Sequence, residues 1–395
     1  MAPKRKLVPL FKIITLLIVA TGLFAGGVLV GQKNAEVPAS TDLDYSSVTQ
    51  VYDLLKQNFD GSLDQTKLLD GLKKGLVNAT EDPYTTYFNP KEAKSFEEQL
   101  SGSFSGIGAE LGTDKQKRIV VISPLAGYPA AKAGLKPKDV IAAVDGQSTD
   151  SQSVDAVVQS IRGEIGTKVK LTIIRGSQPP FSVTITRAEI TIPSVESNME
   201  DEIGYLKISQ FSDNTVKLAR QAAADFIEQK TAGIILDLRG NPGGFLDGAV
   251  KLSGLWLDSG QTVVEQRRGG TVVSTATANG GNILKGLPTV VIIDAGSASA
   301  SEITAGALRD NDAATIVGVT SFGKGSVQTV TKLGDGAEVK ITVARWYTPD
   351  GKNIDKHGIK PDVVVRLTAA DQQADRDPQK AKAIEILQRK ISQAL

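Results

Sequence analysis

Three serines, Ser297, Ser299 and Ser301, alternate with alanine where an apolar strand, Val290 to Ile293, hands over to a helix. A hydroxyl placed there faces the unpaired N–H groups and the positive end of the helix dipole, which favour a developing oxyanion. Lys324 follows in the Gly-flanked turn Phe322-Gly323-Lys324-Gly325, after a second apolar strand, Thr315 to Val319. A strand–helix–strand crossover returns its second strand beside its first, so Lys324 comes back toward the serines. A lysine withdrawn from water loses pKa and can take a proton near neutrality, so a serine and a lysine together suffice for acyl transfer. The chain holds one histidine, His357, and no cysteine, so a Ser-His-Asp site could be built only on that residue.

A second loop carries related chemistry. The strand Gly233 to Leu238 runs into Arg239-Gly240-Asn241-Pro242-Gly243-Gly244, where two adjacent glycines can turn their N–H groups toward one point. Each feature alone has a plainer reading: serines as helix N-caps, Glu302 as a first-turn acid facing the dipole, Lys324 as a solvated lysine, the glycines as a tight turn. Their conjunction, on the right elements and in this order, favours the catalytic reading.

Ser297-Ala298-Ser299-Ala300-Ser301-Glu302, then Phe322-Gly323-Lys324-Gly325, then Gln328 together resemble the C-terminal processing peptidases, the tail-specific Ser/Lys proteases. The resemblance implies that Ser299 is the nucleophile, Lys324 the base and Gln328, one helical turn past the lysine, its orienting partner. It implies an oxyanion hole made by the N–H of Ala300 and that of Gly243 or Gly244, between which sequence does not choose. His357-Gly358-Ile359-Lys360-Pro361-Asp362 resembles the closing loop of that family, which makes His357 structural.

The elements that must position these groups fall into blocks. Ser46 to Leu100 reads as a helical cap with stripes Val48, Val51, Tyr52, Leu55, Phe59 and Leu68, Leu69, Leu72, Leu76, Val77, interrupted by turn chemistry over Asp82 to Phe88. In the resembling family such helices often mediate dimers, so a homodimer is one option. Ser101 to Arg187 resembles a PDZ domain through Ala133-Gly134-Leu135, Asp139-Val140-Ile141 and Val144-Asp145-Gly146. That likeness gives Gly106, Ile107 and Gly108 the role of binding a peptide's terminal carboxylate, with the following strand edge taking the peptide as an added strand. After Ile190, strands and helices alternate: Ile203 to Gln210, a helix Asn214 to Gln229 with Val216, Leu218, Ala222 and Phe226 inward, then Gly233 to Leu238 and a helix Leu246 to Leu257. Such alternation argues an α/β layered core with its chemistry at strand C-terminal ends. Glu338 to Tyr347 alternates as a strand, and Asp377-Pro378 opens a terminal amphipathic helix carrying Ala383, Ile384, Ile386, Leu387 and Ile391, which docks on the core or on a second subunit.

At the other end, Lys4, Arg5 and Lys6 precede an uncharged run from Ile13 to Val30, long enough to span a bilayer. No clear Ala-x-Ala site follows it, so an uncleaved anchor is favoured over a secretory signal peptide, with the body on the extracytoplasmic side. The balance of 45 basic against 44 acidic residues, net +1, gives no sign of nucleic-acid binding. The expected fold class is thus α+β multidomain: cytoplasmic stub and transmembrane anchor 1–31, linker 32–45, helical cap 46–102, PDZ domain 103–188 (a β-sandwich or barrel with helices), α/β protease core 189–368, helical tail 369–395. The expected function is a serine endopeptidase that cuts proteins near flexible C-terminal tails, needing no metal or cofactor, with its PDZ domain recognising the substrate and gating activity. An activating or adaptor protein is left open. The rival reading is a membrane-anchored PDZ adaptor in which Ser299 and Lys324 are inert.

Overall fold

The computed structural model describes residues 43–279 and 281–394. The expected anchor, 1–31, and all but the last residues of the linker lie outside them. Among the described residues no helix is long and apolar enough to cross a membrane. The chain divides into two units, 1–69 and 70–395. In the first, Ser46–Asn58 is helical, but it buries none of its residues: Val51 and Phe59 are exposed, Tyr52 and Leu55 half-buried. The expected packed cap is therefore not formed by this helix within its own unit.

In the second unit, the segment read as a turn contains a strand, Thr86–Phe88, paired antiparallel with Glu338–Tyr347, Thr86 opposite Lys340. A strand this short is stabilised by its distant partner, so no local periodicity announces it. The helix Pro90–Ser101 follows, opened by a capping box of Asn89 and Glu92 with proline in its first turn, and closed by Gly102 at φ 71°. A six-stranded antiparallel sheet comes next, in the order Ala109–Thr113, Ile119–Pro124, Val140–Val144, Lys168–Ile174, Phe181–Thr186, with Gln147–Ser148 beside Val140–Val144. Ile107, Val121, Ile141, Val157, Leu171 and Ile173 are buried together under it. Ala109–Thr113 is an edge strand, as peptide addition requires.

The core sheet runs Val195–Glu200, Ile203–Ile208, Gly233–Asp237, Thr289–Ile293, Thr315–Gly318, Val363–Val364, parallel from Ile203–Ile208 onward. Both faces of a parallel sheet must be covered, which explains its continuous apolar strands. Leu206, Ile234, Leu236, Val291 and Ile316 pack on one side with residues of the helices Thr215–Glu228, Leu246–Ser253 and Ala300–Asp310. Ile203, Ile235, Val290, Ile292 and Val317 pack on the other with Ala383 and Leu387 of Pro378–Ala394. The terminal helix thus docks on its own core. The inward face of Thr215–Glu228 is Thr215, Ala219, Ala222, Ala223 and Phe226, whereas Val216 and Leu218 are only half-buried. Small residues on that face let the helix approach the sheet closely. A separate five-stranded sheet joins Thr86–Phe88, Glu338–Tyr347, Thr262–Arg268, Thr271–Thr277 and Ser326–Lys332.

Candidate active site

Gly233–Asp237 and Thr289–Ile293 are neighbouring parallel strands, so the loops leaving their C-terminal ends meet. They are stitched together by small polar groups. Ser297 Oγ donates to the Leu238 carbonyl (2.8 Å) and Ser301 Oγ to the Asn241 carbonyl (3.0 Å), while the Ala298 N–H donates to Asn241 (3.0 Å) and the Gly240 N–H to Asp294 Oδ1 (2.8 Å). Ser297 and Ser301 are fully buried in these bonds. Ser299, between them, is half-buried and lines a cleft of about 820 Å³. The crossover thus sorts three like hydroxyls into two that hold the turn and one that faces outward.

Ser299 takes φ 54° at the start of Ala300–Asp310, a left-handed conformation that costs a non-glycine residue free energy and is found where surroundings enforce it. Glu302 supplies part of that enforcement. Its carboxylate, wholly buried, accepts the Ser299 N–H (2.8 Å), the Lys324 N–H (3.0 Å), the Gly323 N–H (2.7 Å) and the Ser321 hydroxyl (2.5 Å). Burial pushes this carboxyl above its ordinary range, and the four donors pull against that. One side chain therefore fixes the backbone of both the serine and the lysine. In the sequence Glu302 reads only as a first-turn acid. The Ser-x-x-Glu spacing of a capping box was the signal available, but the bonds to residues 321–324 have none.

Lys324 lines the same cleft. Burial holds its amine below the ordinary lysine value of 10.5, the positive charge of Lys340 adds to that, and Glu302 opposes it. The Tyr84 ring lies 5.4 Å from its Nζ, and the Trp346 indole N–H donates to its carbonyl (2.7 Å). Tyr84 comes from the segment read as turn chemistry, and nothing local in the sequence points to its place beside the lysine. Gln328 also lines the cleft, but in the strand Ser326–Lys332 rather than one helical turn on, and its amide donates to Ser326 Oγ (2.7 Å) and Thr342 Oγ1 (3.4 Å). The spacing of four that suggests a helical turn here runs from the Gly-flanked turn into the start of this strand, with a register irregularity between Val327 and Gln328.

Gly243 lies against Ser299: a Cβ there would fall 2.8 Å from Ser299 Cβ and 3.0 Å from the Ala300 nitrogen, and its φ is 98°. At Gly244, φ 142°, a Cβ would fall 2.1 Å from the Phe211 carbonyl oxygen. The Gly243 N–H is used by Asn241 Oδ1 (2.9 Å), whereas the Gly244 N–H enters no backbone bond among the described residues. The Ala300 N–H belongs to the first helical residue and has no partner within the helix.

Gly106, Ile107 and Gly108 are buried, and they do not line this cleft. Ile107 and Gly108 accept from Ala130 and Leu125, and Ile107 packs inward. The cleft wall on that side is instead Gly102, Phe104 and Arg162. His357 is exposed and does not line the cleft either. Its backbone packs beside Gly323, where a Cβ would fall 3.0 Å from the His357 nitrogen.

A hydroxyl on a strained helix start, a desolvated amine and glycine amides in one cleft define a class, an acyl-transfer site. Comparison with known proteins makes this specific. Residues 202–365 match the model of peptidase family S41, 95–174 that of the PDZ domain, and 20–92 that of the activating protease CtpB N-terminal domain. The chain is 41% identical to the carboxy-terminal processing protease CtpA of Bacillus subtilis over 372 residues, covering 92% of this chain and 78% of that one. It is also 41% identical to a probable CtpA-like serine protease of Staphylococcus haemolyticus, covering 82% of this chain and 65% of the relative. Among solved structures, the photosystem II D1 C-terminal processing protease matches with a TM-score of 0.50 at 31% identity, over 81% of this chain and 87% of that one. The chain belongs to the C-terminal processing peptidases of family S41, and it is a serine-type peptidase with a PDZ domain.

Proposed function

We propose that Ser299 is the nucleophile and that neutral Lys324 takes its proton. Ser299 Oγ attacks a peptide carbonyl, the N–H groups of Ala300 and Gly244 stabilise the oxyanion, Lys324 returns the proton to the leaving amine, and water hydrolyses the acyl-enzyme. Gly244 is preferred over Gly243 because the Gly243 N–H already has an acceptor. Gln328 supports the lysine indirectly, through the strand pair that carries Thr342 and Trp346. The observation that carries this reading is that Ser299 and an amine held below its ordinary pKa share one cleft, their backbones joined by one buried carboxylate.

The substrates in this reading are proteins with flexible C-terminal tails, whose end is received by the PDZ loop at Gly106, Ile107 and Gly108 and passed along the edge strand. Phe104 and Arg162 form part of the cleft wall, which supports a gating role for the PDZ domain. The run Ile13 to Val30 anchors the protein in the cell membrane with its body outside the cytoplasm, and the N-terminal helices, alone or with an adaptor protein, serve as its contact with other chains. The test is to incubate the purified full-length protein with an unstructured protein and follow peptide release by mass spectrometry. Ser299→Ala and Lys324→Ala are expected to release nothing and His357→Ala to retain most activity. Equal release by wild type and Ser299→Ala would leave the inert adaptor reading standing.

A further inference from the structure

A second cation shares the cleft with Ser299 and Lys324. Lys340 lies on Glu338–Tyr347, in register with Val330 of Ser326–Lys332. Along that strand Ile341, Val343 and Arg345 are exposed, while Lys340, Thr342, Ala344 and Trp346 alternate with them on the other face. On this second face Trp346 holds the Lys324 carbonyl and Thr342 accepts from Gln328, so the strand leads outward from the base to Lys340.

The Lys340 ammonium lies 5.5 Å from the Phe88 ring centre and 5.2 Å from that of Phe96, two rings stacked 4.8 Å apart. These rings withdraw one side of it from water. Among the described residues no carboxylate bonds to it. The acid whose field acts on it, Asp82, is engaged by the Thr85 hydroxyl (2.6 Å) and the Tyr84 N–H (3.3 Å). Three lysines of this unit, by contrast, have carboxylate partners: Lys73 has Asp335, Lys74 has Glu92, and Lys332 has Glu97. A partly desolvated cation facing a cleft with no anion of its own is complementary to an anion that the ligand brings.

We propose that Lys340 is a specificity-determining residue that binds a carboxylate of the polypeptide being cut. The carboxylate is either the free C-terminus or an Asp or Glu side chain. This inference rests on the reading of Ser299 and Lys324 as the place of cutting.

The test uses binding, which needs no turnover. Full-length Ser299→Ala protein is titrated with fluorescent peptides of one unstructured sequence: the free acid, its C-terminal amide, and versions with Asp or Asn stepped along it. At least one acid is expected to bind about tenfold tighter than its neutral match, the range of a charge-assisted hydrogen bond. Adding Lys340→Met, which keeps the aliphatic stem on the rings, should bring that ratio toward one, and Lys340→Arg should restore it. In active protein Lys340→Met should lower kcat as well, because the Lys340 charge helps hold the Lys324 amine below its ordinary pKa, so the acid-to-neutral binding ratio and not turnover reads the carboxylate contact. Loss confined to the acid and amide pair assigns the terminal carboxylate; loss confined to one Asp and Asn pair assigns a side chain. A carboxylate captured only by the PDZ loop would leave the ratio unchanged in Lys340→Met. That outcome, or no preference for any acid in the parent protein, overturns the proposal. Failure of the underlying reading shows separately, as identical peptide release by wild type and Ser299→Ala.

Discussion

At the scale of single residues, Glu302 has the most bonds at the site. It accepts from four donors through both oxygens, and glutamine could accept through only one while turning an NH2 toward backbone N–H groups. Under the proposed roles of Ser299 and Lys324, Glu302→Gln should therefore lower kcat by roughly 10², the scale of a small misplacement of reacting groups. It should also lower stability by about 1–3 kcal/mol for the donors left unpaired, measured as a shift in the urea midpoint. Lys324 makes the opposite stability prediction. Its folded pKa lies below its unfolded value near 10.5, so keeping it charged costs stability at every pH below the folded value. The cost fades as pH rises between the two values and is gone above the higher one. Lys324→Met should thus stabilise the protein at neutral pH and lose that advantage as the medium approaches pH 10.5, in thermal unfolding followed across pH. Ser299, Lys324 and the paired glycines were legible in the sequence because their demands on the backbone are local. Gln328 was legible as a member of the site, but its geometry was not, because a spacing of four fits a helix and a strand equally well. Tyr84 and the wider bonding of Glu302 depend on which distant segments meet, and no local pattern records that.

At the scale of elements, the site depends on the C-terminal ends of two adjacent strands, and an ion network around the buried Asp237 holds one of them. Arg239 pairs with Asp237 and Asp377, and Tyr205 donates to Asp237 Oδ2 (2.7 Å). Burial and the Asp237 charge raise the Tyr205 pKa, while burial works to lower that of Arg239 and its bonds to Asp237 and Asp377 together outweigh it and raise it. Asp377 also accepts the Lys380 N–H (2.9 Å) at the start of Pro378–Ala394, so this network joins the terminal helix to the strand that feeds the Asn-Pro-Gly-Gly loop. Two substitutions separate packing from this linkage. Leu387→Ala, at a fully buried contact of the helix, should cost about 2–5 kcal/mol in denaturant unfolding and leave kcat of the folded fraction unchanged. Arg239→Met leaves Asp237 buried without its partner, at a cost of about 3–5 kcal/mol, and should lower kcat as well because it loosens the Asn-Pro-Gly-Gly loop beside Ser299. The alternation of strands and helices made this layered core legible from sequence. The strand Thr86–Phe88 was not, since its stability comes from pairing with a segment far along the chain.

At the scale of the whole molecule, the PDZ domain lies in sequence between the N-terminal helices and the peptidase core, and both PDZ and peptidase residues line the cleft. The order of these parts was legible because each has its own texture: helical stripes, Gly-rich β segments, then βα alternation. How the cleft is walled was not legible, because Phe104 and Arg162 reach it only through the folding of the PDZ domain. The anchor reading makes a direct prediction. Full-length protein should sediment with membranes and resist alkaline carbonate extraction, whereas protein lacking 1–42 should stay in the supernatant. Full-length protein in the supernatant would contradict the anchor.

The account depends most on the proton state of one amine. Titration of Lys324 itself, by NMR of protein carrying isotope-labelled lysine with Lys324→Met assigning the resonance, tests this directly. A midpoint below 10.5 is expected, and a midpoint at or above 10.5 would leave Ser299 without its base.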